Sequence, residues 1–195
     1  MKKFVTFEGI DGSGKSTVSK KVYDRLISDG YDAILTFEPT DTWLGKVVNR
    51  CIDEHCDPLI ITFTFIADRI EHIKKIRQWL KDGKIVLCDR YADSTFAYQE
   101  VQLKKKVKNP IKWLKSLHKE FIVEPDLTFL FVLDPGEALC RIQNRAKLIS
   151  FEKKEFLSVV QDNYLKLAKN KRFVILDANK KINELMEECI NYILS

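Results

Sequence analysis

Residues 9–17 read Gly9-Ile10-Asp11-Gly12-Ser13-Gly14-Lys15-Ser16-Thr17, which fits the pattern G-x-x-x-x-G-K-[ST]. Each residue type at that spacing has a physical use. The glycines let backbone N–H groups turn inward as a nest for phosphate oxygens. A helix starting at Lys15 would add its positive N-terminal end. The Lys15 ammonium can reach the β- and γ-phosphates of a nucleoside triphosphate, and the Ser16 hydroxyl suits Mg²⁺. The chemistry implied is nucleotide binding. A guanine reader of the form Asn-Lys-x-Asp is missing, since Asn170-Lys171-Arg172-Phe173 and Asn179-Lys180-Lys181-Ile182 both lack the aspartate. Motor ATPases are normally larger, so the short chain favours a kinase with a small acceptor.

Two further pairs suit such a kinase. Asp89 and Arg90 end an apolar run, Ile85-Val86-Leu87-Cys88, and so fall at the carboxyl edge where open α/β sheets bind ligands. Arg90 offers a rigid fork of donors to a phosphoryl group in transfer. Asp89 suits Mg²⁺ held through water, or the orientation of Arg90 or Lys15; a plain structural ion pair is the alternative. Phe65 lies four residues before Arg69 and shares its helical face. A ring and a planar donor match a flat, polar-edged base, although the spacing alone equally fits a core phenylalanine beside a surface arginine.

The elements that must position these groups follow from hydrophobic patterning. Apolar runs at Lys3–Phe7, Ala33–Phe37, Ile85–Cys88, Leu127–Leu133 and Phe173–Leu176 read as strands, Lys3–Phe7 buried and Ile85–Cys88 and Leu127–Leu133 each long enough to be buried on both faces. Between them lie amphipathic stretches. One carries Val18, Val22, Leu26 and Ile27 and ends near Gly30. Another opens on Asp57-Pro58 and runs to Leu80; a third opens on Pro135-Gly136, followed by a helix to about Lys169 and a last one over Ile182–Leu194. The alternation predicts an α/β fold with a parallel sheet and helices on both sides. At 195 residues, with 45% hydrophobic and 31% charged, one domain over 1–195 is expected.

Composition narrows the partners. A formal charge of +5 permits anionic ligands without requiring nucleic acid, and no nucleic-acid partner is expected. The run Lys104-Lys105-Lys106-Val107-Lys108 sits between two helical patterns and reads as a solvated turn. No apolar run reaches the ~18–20 residues of a membrane helix, and Glu8 interrupts the apolar start too early for a signal peptide. A cytoplasmic protein without a membrane partner is expected. The five cysteines (Cys51, Cys56, Cys88, Cys140, Cys189) read as reduced thiols; a zinc site on Cys51, His55 and Cys56 would lack a fourth ligand.

Four more segments identify the acceptor. They are Glu38-Pro39-Thr40-Asp41; Phe65-Ile66-Ala67-Asp68-Arg69; Cys88-Asp89-Arg90-Tyr91 with Ser94-Thr95 and Tyr98-Gln99; and Pro125-Asp126-Leu127-Thr128 leading to Leu133-Asp134-Pro135. With Phe7-Glu8 and the phosphate loop they occur in the order, and over nearly the length, of the thymidylate (dTMP) kinases, which the chain resembles. The resemblance implies the P-loop kinase three-layer fold, with a five-stranded parallel sheet and a short lid at about 141–154. It implies Mg²⁺-dependent transfer of the ATP γ-phosphoryl group to dTMP, giving dTDP, and a homodimer.

The resemblance also distributes roles. Gly9 to Thr17, with Arg141 and Ala178, would bind ATP. Lys15, Asp89, Arg90 and a lid arginine, Arg145, would be catalytic, with Ser16 and Asp89 towards the metal. Arg145 is favoured because the variable loop positions Ile10, Asp11, Gly12 and Ser13 hold no arginine, while Arg141 and Lys147 are the alternatives. The acceptor site would comprise Asp11 (towards the sugar 3′-hydroxyl), Glu38, Pro39, Phe65 stacked on thymine, Arg69 on a base carbonyl, Arg90, Ser94, Thr95, Tyr98 and Gln99. The Tyr98 ring would crowd a ribose 2′-hydroxyl. One departure from the family pattern stands out. Many members carry an arginine beside the Glu-Pro segment, where this chain has Phe37 before Glu38 and Thr40-Asp41 after Pro39, so either more of the acceptor phosphate falls to Arg90 or another basic residue substitutes. Rival readings are a kinase for another nucleoside monophosphate or a deoxynucleoside, and a binding module without turnover.

Overall fold

The computed structural model describes residues 2–143 and 151–195. Five strands form one parallel sheet: β1 (Lys3–Gly9), β2 (Ala33–Phe37), β3 (Ile85–Asp89), β4 (Leu127–Val132) and β5 (Phe173–Asp177), in the spatial order β2-β3-β1-β4-β5. These are the five apolar runs, and the architecture is the expected α/β one. β1 is central, in register with β3 (Phe7 opposite Asp89) and with β4 (Gly9 opposite Phe131). The connection leaving β1 runs to β2 on one side and the one leaving β3 crosses to β4 on the other, which places a crevice at the carboxyl ends of β1 and β3.

The two-residue period of the strands sorts side chains into two layers. Val5, Phe7, Ile85 and Leu87 face one cluster with Val18, Val22 and Leu26 of α1 (Lys15–Ser28) and Leu185, Cys189 and Ile193 of α8 (Ile182–Leu194). Their neighbours Phe4, Val86 and Cys88 face the other. There they meet Ile73 and Ile76 of α3 (Pro58–Lys81), Phe96 and Leu103 of α4 (Ala92–Leu103), and Leu114 of α5 (Pro110–His118). Each fully buried large side chain contributes roughly 1.5–3 kcal/mol of transfer free energy. The two layers therefore hold the strand ends, and the loops on them, in fixed positions.

Local signals set the helix boundaries. Asp57 caps α3 by accepting from Leu59 N–H at 2.9 Å, with Pro58 in the first turn. Asn109 and Pro110 start α5 in the same way. The patterning did not predict α2 (Trp43–Asp53). It is capped by Thr42, and its Gly45 lies so close to the Thr40 carbonyl that an added Cβ would sit 1.8 Å from the oxygen. α6 (Pro135–Gln143) and α7 (Phe151–Leu167) complete the set. Lys104, Lys105, Lys106 and Lys108 are exposed, as expected of a solvated turn, and Lys106 pairs with Asp57 at 2.6 Å. No described helix is long and apolar enough to cross a membrane. All five cysteines are free, Cys88 and Cys189 buried, and no cluster of three or more metal-ligating side chains occurs among the described residues.

Candidate active site

The phosphate loop joins β1 to α1. Gly14 takes φ 85° and occupies the N-cap position of α1, so N–H groups of the first turn face the loop. Gly12 takes φ 83° and packs against α6, where an added Cβ would lie 2.3 Å from the Ala138 carbonyl oxygen. Lys15 is buried, with Nζ 3.3 Å from the Ile10 carbonyl. Burial and the neighbouring Arg90 charge bring its ammonium down to about 8, the pKa of a cation lacking a full counter-ion. Asp11, Gly12, Ser13, Gly14, Lys15, Ser16 and Thr17 line a cavity of about 550 Å³. Arg141 and Ala178 line its other end, where Arg141 Nη1 donates to the Ala178 carbonyl at 3.1 Å and Nη2 to Asn179 Oδ1 at 3.3 Å. Gly9 and Ile10, earlier in the loop, do not line it. Arg145 and Lys147 lie outside the described residues, as does the middle of the expected lid.

A second cavity, about 720 Å³, adjoins the first and shares Asp11 with it. Glu38, Pro39, Phe65, Arg69, Arg90, Ser94, Thr95, Tyr98 and Gln99 all line it, so the structure brings together every acceptor residue named from the sequence. Phe65 and Arg69 do share one face of α3. Gln99 is buried and, among the described residues, its amide has no hydrogen-bond partner.

Arg90 lines the second cavity and donates to Asp11, the residue the two cavities share. Its φ is 65°, a left-handed conformation that costs a non-glycine residue roughly 1 kcal/mol or more. The backbone is held there by Arg90 N–H donating to the Phe7 carbonyl at 3.0 Å. From that position the guanidinium donates to Gly9 O at 3.2 Å, Ser94 Oγ at 3.1 Å and Asp11 Oδ1 at 2.5 Å, and it lies 5.4 Å from the Tyr98 ring centre. Burial would raise the Asp11 carboxyl, but the charges of Arg90 and Lys15 outweigh it and hold Asp11 below the usual range. Asp89 ends β3 beside this group, and its Oδ1 is buried without a hydrogen-bond partner among the described residues.

Several supporting residues escaped the sequence reading. Glu8 is fully buried at the end of β1. It accepts from Tyr91 N–H at 2.8 Å, Ser94 Oγ at 2.6 Å and Tyr164 Oη at 3.0 Å. Burial, with Asp93's charge adding to it, pushes the Glu8 carboxyl up to about 7. The Ser94 hydroxyl is therefore engaged by Glu8, Arg90 and Tyr164 rather than free in the cavity. Asp68 accepts from Thr40 N–H at 2.8 Å and Thr40 Oγ1 at 2.5 Å, which fixes the loop after Pro39. Glu38 binds Arg69 and His72, and Arg69 also meets His118. A charged residue in an apolar strand marked Glu8 out; nothing in the spacing of His72 or His118 did. Among the described lining residues, the full cations of the second cavity are Arg69 and Arg90.

Known proteins are similar to this chain in sequence over nearly its whole length. The family model described as "Thymidylate kinase" matches residues 7–189. A "Probable thymidylate kinase" of Methanosarcina mazei is 43% identical over 196 residues, covering 98% of this chain and 95% of the relative. Those of Sulfurisphaera tokodaii and Methanocaldococcus jannaschii are 39% and 38% identical, covering 100% and 97% of this chain and 97% and 95% of their own lengths. Two adjoining cavities that share Asp11 suit two phosphorylated ligands meeting end to end, and with a match this long the chain belongs to the thymidylate kinase family.

Proposed function

We propose that this chain, acting as one domain, transfers the γ-phosphoryl group of ATP to the 5′-phosphate of dTMP, giving ADP and dTDP. The observation that carries the reading is the meeting of the two cavities at Asp11, beside which Arg90, a cation held in a left-handed backbone conformation, lines the second cavity and donates to the Asp11 carboxylate. ATP takes the 550 Å³ cavity, with its phosphates in the loop of residues 9–17 and its base near Ala178 and Arg141. dTMP takes the 720 Å³ cavity, with thymine on Phe65, a base carbonyl towards Arg69, and the amide of Gln99 free to meet the base edge. Asp11 takes the sugar 3′-hydroxyl and Tyr98 closes on the sugar. Glu38, Pro39 and Thr95 shape the pocket and hold Arg69.

The attacking atom is a phosphate oxygen that is already anionic, so no strong general base is required. Lys15, Arg90 and the lid residue Arg145 neutralise charge that spreads over the transferring group. Arg90 exchanges Asp11 for the acceptor phosphate, and Ser94 acts through Arg90 by fixing its guanidinium. The donor set fits Mg²⁺: the Ser16 hydroxyl lines the phosphate cavity, and Asp89 keeps a buried carboxylate oxygen without a hydrogen-bond partner among the described residues. These two residues would hold the ion, which supplies further charge neutralisation between phosphate oxygens.

We place the protein in the cytoplasm, where its thiols stay reduced, and read it as a homodimer. Ile60, Phe63 and Ile70 form an exposed apolar stripe at helical spacing along α3, of the kind a second copy covers. The test is ADP production with ATP, Mg²⁺ and each nucleoside monophosphate in turn. dTMP should give the highest kcat/KM; a chain that turns over dGMP, dAMP or CMP as well as dTMP refutes the proposal.

A further inference from the structure

A guanidinium presents five N–H donors in one plane. On Arg69 four of them are taken within the protein. Nε donates to Glu38 Oε2 at 2.8 Å; Nη2 donates to the same oxygen at 2.5 Å and to Thr95 Oγ1 at 3.0 Å; Nη1 donates to His118 Nε2 at 2.9 Å. The fifth donor, also on Nη1, has no acceptor among the described residues, and Arg69 lines the acceptor cavity. The two Nη1 hydrogens lie about 120° apart in the guanidinium plane. Whatever accepts one of them therefore fixes the direction of the other.

His118 is that acceptor. It is the last residue of α5 and 1% exposed, 49 positions away from Arg69 in the chain. Its Nδ1 lies 2.7 Å from the Leu114 carbonyl oxygen, which can only accept, so Nδ1 carries the proton and Nε2 offers a lone pair. Burial and the adjacent Arg69 charge bring the imidazole down to about 4, which keeps it in this neutral form. A protonated ring would set N–H against N–H. Phe96 and Phe121, with ring centres 5.1 and 5.4 Å away, restrict the imidazole from two sides. The opposite edge of the guanidinium is clamped by Glu38, itself held by His72 Nδ1 at 2.9 Å.

We propose that His118 is a positioning residue that aims the remaining Nη1–H of Arg69 at the acceptor's base carbonyl, and so sets the preference for thymine over cytosine. The inference rests on the dTMP kinase reading above. Thymine presents a carbonyl at C4, whereas cytosine presents an amino group that would oppose a donor aimed there. Glu38 clamps one edge of the guanidinium and Thr95 holds the outer Nη2 hydrogen; His118 holds the far nitrogen, Nη1, and limits the tilt that these leave.

The test compares wild type, His118→Phe and His118→Gln by steady-state kinetics with dTMP and ATP, and by the inhibition constant of dCMP against dTMP. Phenylalanine keeps a ring between Phe96 and Phe121 but has no acceptor; glutamine restores one. His118→Phe should raise the dTMP KM about 10-fold or more, in line with losing a hydrogen bond made by a charged donor. It should narrow the dTMP-to-dCMP ratio by a similar factor, with kcat and the ATP KM within about twofold. His118→Gln should recover most of both effects. A folded His118→Phe variant with wild-type dTMP KM and dCMP discrimination overturns the proposal. So does a uniform loss in kcat and both KM values, or a failure of glutamine to improve on phenylalanine. If His118→Phe does not fold, His118→Leu gives the same readout. A wild-type chain that does not phosphorylate dTMP refutes the function itself, which is a separate result.

Discussion

Replacing Glu8 by glutamine tests the electrostatics that anchor the site. Glu8 is fully buried beneath Ser94, Tyr91 and Tyr164, with Asp93 and Arg90 as the nearest charges. Burial, followed by the Asp93 charge, takes its carboxyl from 4.5 to about 7, so the folded chain binds this proton more tightly than the unfolded chain does. Below about pH 4.5 the group is protonated in both states and its contribution is fully present. As pH rises towards 7 the unfolded chain ionises first, and stability falls. Once both states are ionised the loss is about 3 kcal/mol, of which roughly 2 kcal/mol falls between about pH 5 and pH 8.

Glutamine keeps the shape and the hydrogen-bonding capacity of the protonated acid without the titration. The quantity to measure is the stability of Glu8→Gln minus that of wild type, from urea unfolding followed by circular dichroism at about pH 5 and pH 8. Subtraction removes every group the two chains titrate alike. The difference should move in the variant's favour by roughly 2 kcal/mol on going to the higher pH. For a chain of this length that is a relative Tm gain of about 4–8 °C. Relief of Asp93, whose carboxyl is also raised by burial, acts in the same direction. A difference that stays constant with pH, or that turns against the variant at pH 8, refutes the reasoning.

Three further outcomes follow from the site and the surface. Arg90→Ala should lower kcat on the order of 10²–10³-fold, because its donors meet charge shared in the transition state, with a smaller change in the dTMP KM; an effect confined to KM would contradict this. Phe65→Ala should do the reverse, raising the dTMP KM about 5- to 150-fold through the loss of roughly 1–3 kcal/mol of stacking, and kinetics with kcat reduced instead would show that the ring does not bear on the base. Phe63→Glu, in the exposed stripe of α3, should convert a dimer to a monomer in size-exclusion chromatography with light scattering; a wild-type monomer would remove the dimer.

How much of this could be read in the chain depends on the sequence distance over which each feature is built. The five strands are apolar runs of five to seven residues, β1, β3 and β4 largely buried and the edge strands β2 and β5 partly exposed, so each declares itself without reference to the rest. The phosphate loop is equally local, since its chemistry needs only neighbouring N–H groups and the lysine and serine that follow. Phe65 and Arg69 share a helix face and can be paired by spacing. α2 is less visible because a glycine sits inside it, and only the close approach of Thr40 shows why that residue is required.

The groups that aim the functional side chains are different in kind. Arg69 is directed by Glu38, 31 residues before it, and by His118, 49 residues after it. Arg90 is directed by a left-handed backbone and by Ser94, and Ser94 in turn by Glu8 and Tyr164, 86 and 70 residues away. No spacing rule links such positions, because helices and sheet crossovers of variable length separate them. A motif therefore names the residues that meet the ligand, and the fold alone names those that hold them in place. Ser94 shows the consequence. Its place in the acceptor segment puts it among the ligand-facing residues, yet its hydroxyl is engaged by Arg90, Glu8 and Tyr164 rather than turned to the cavity.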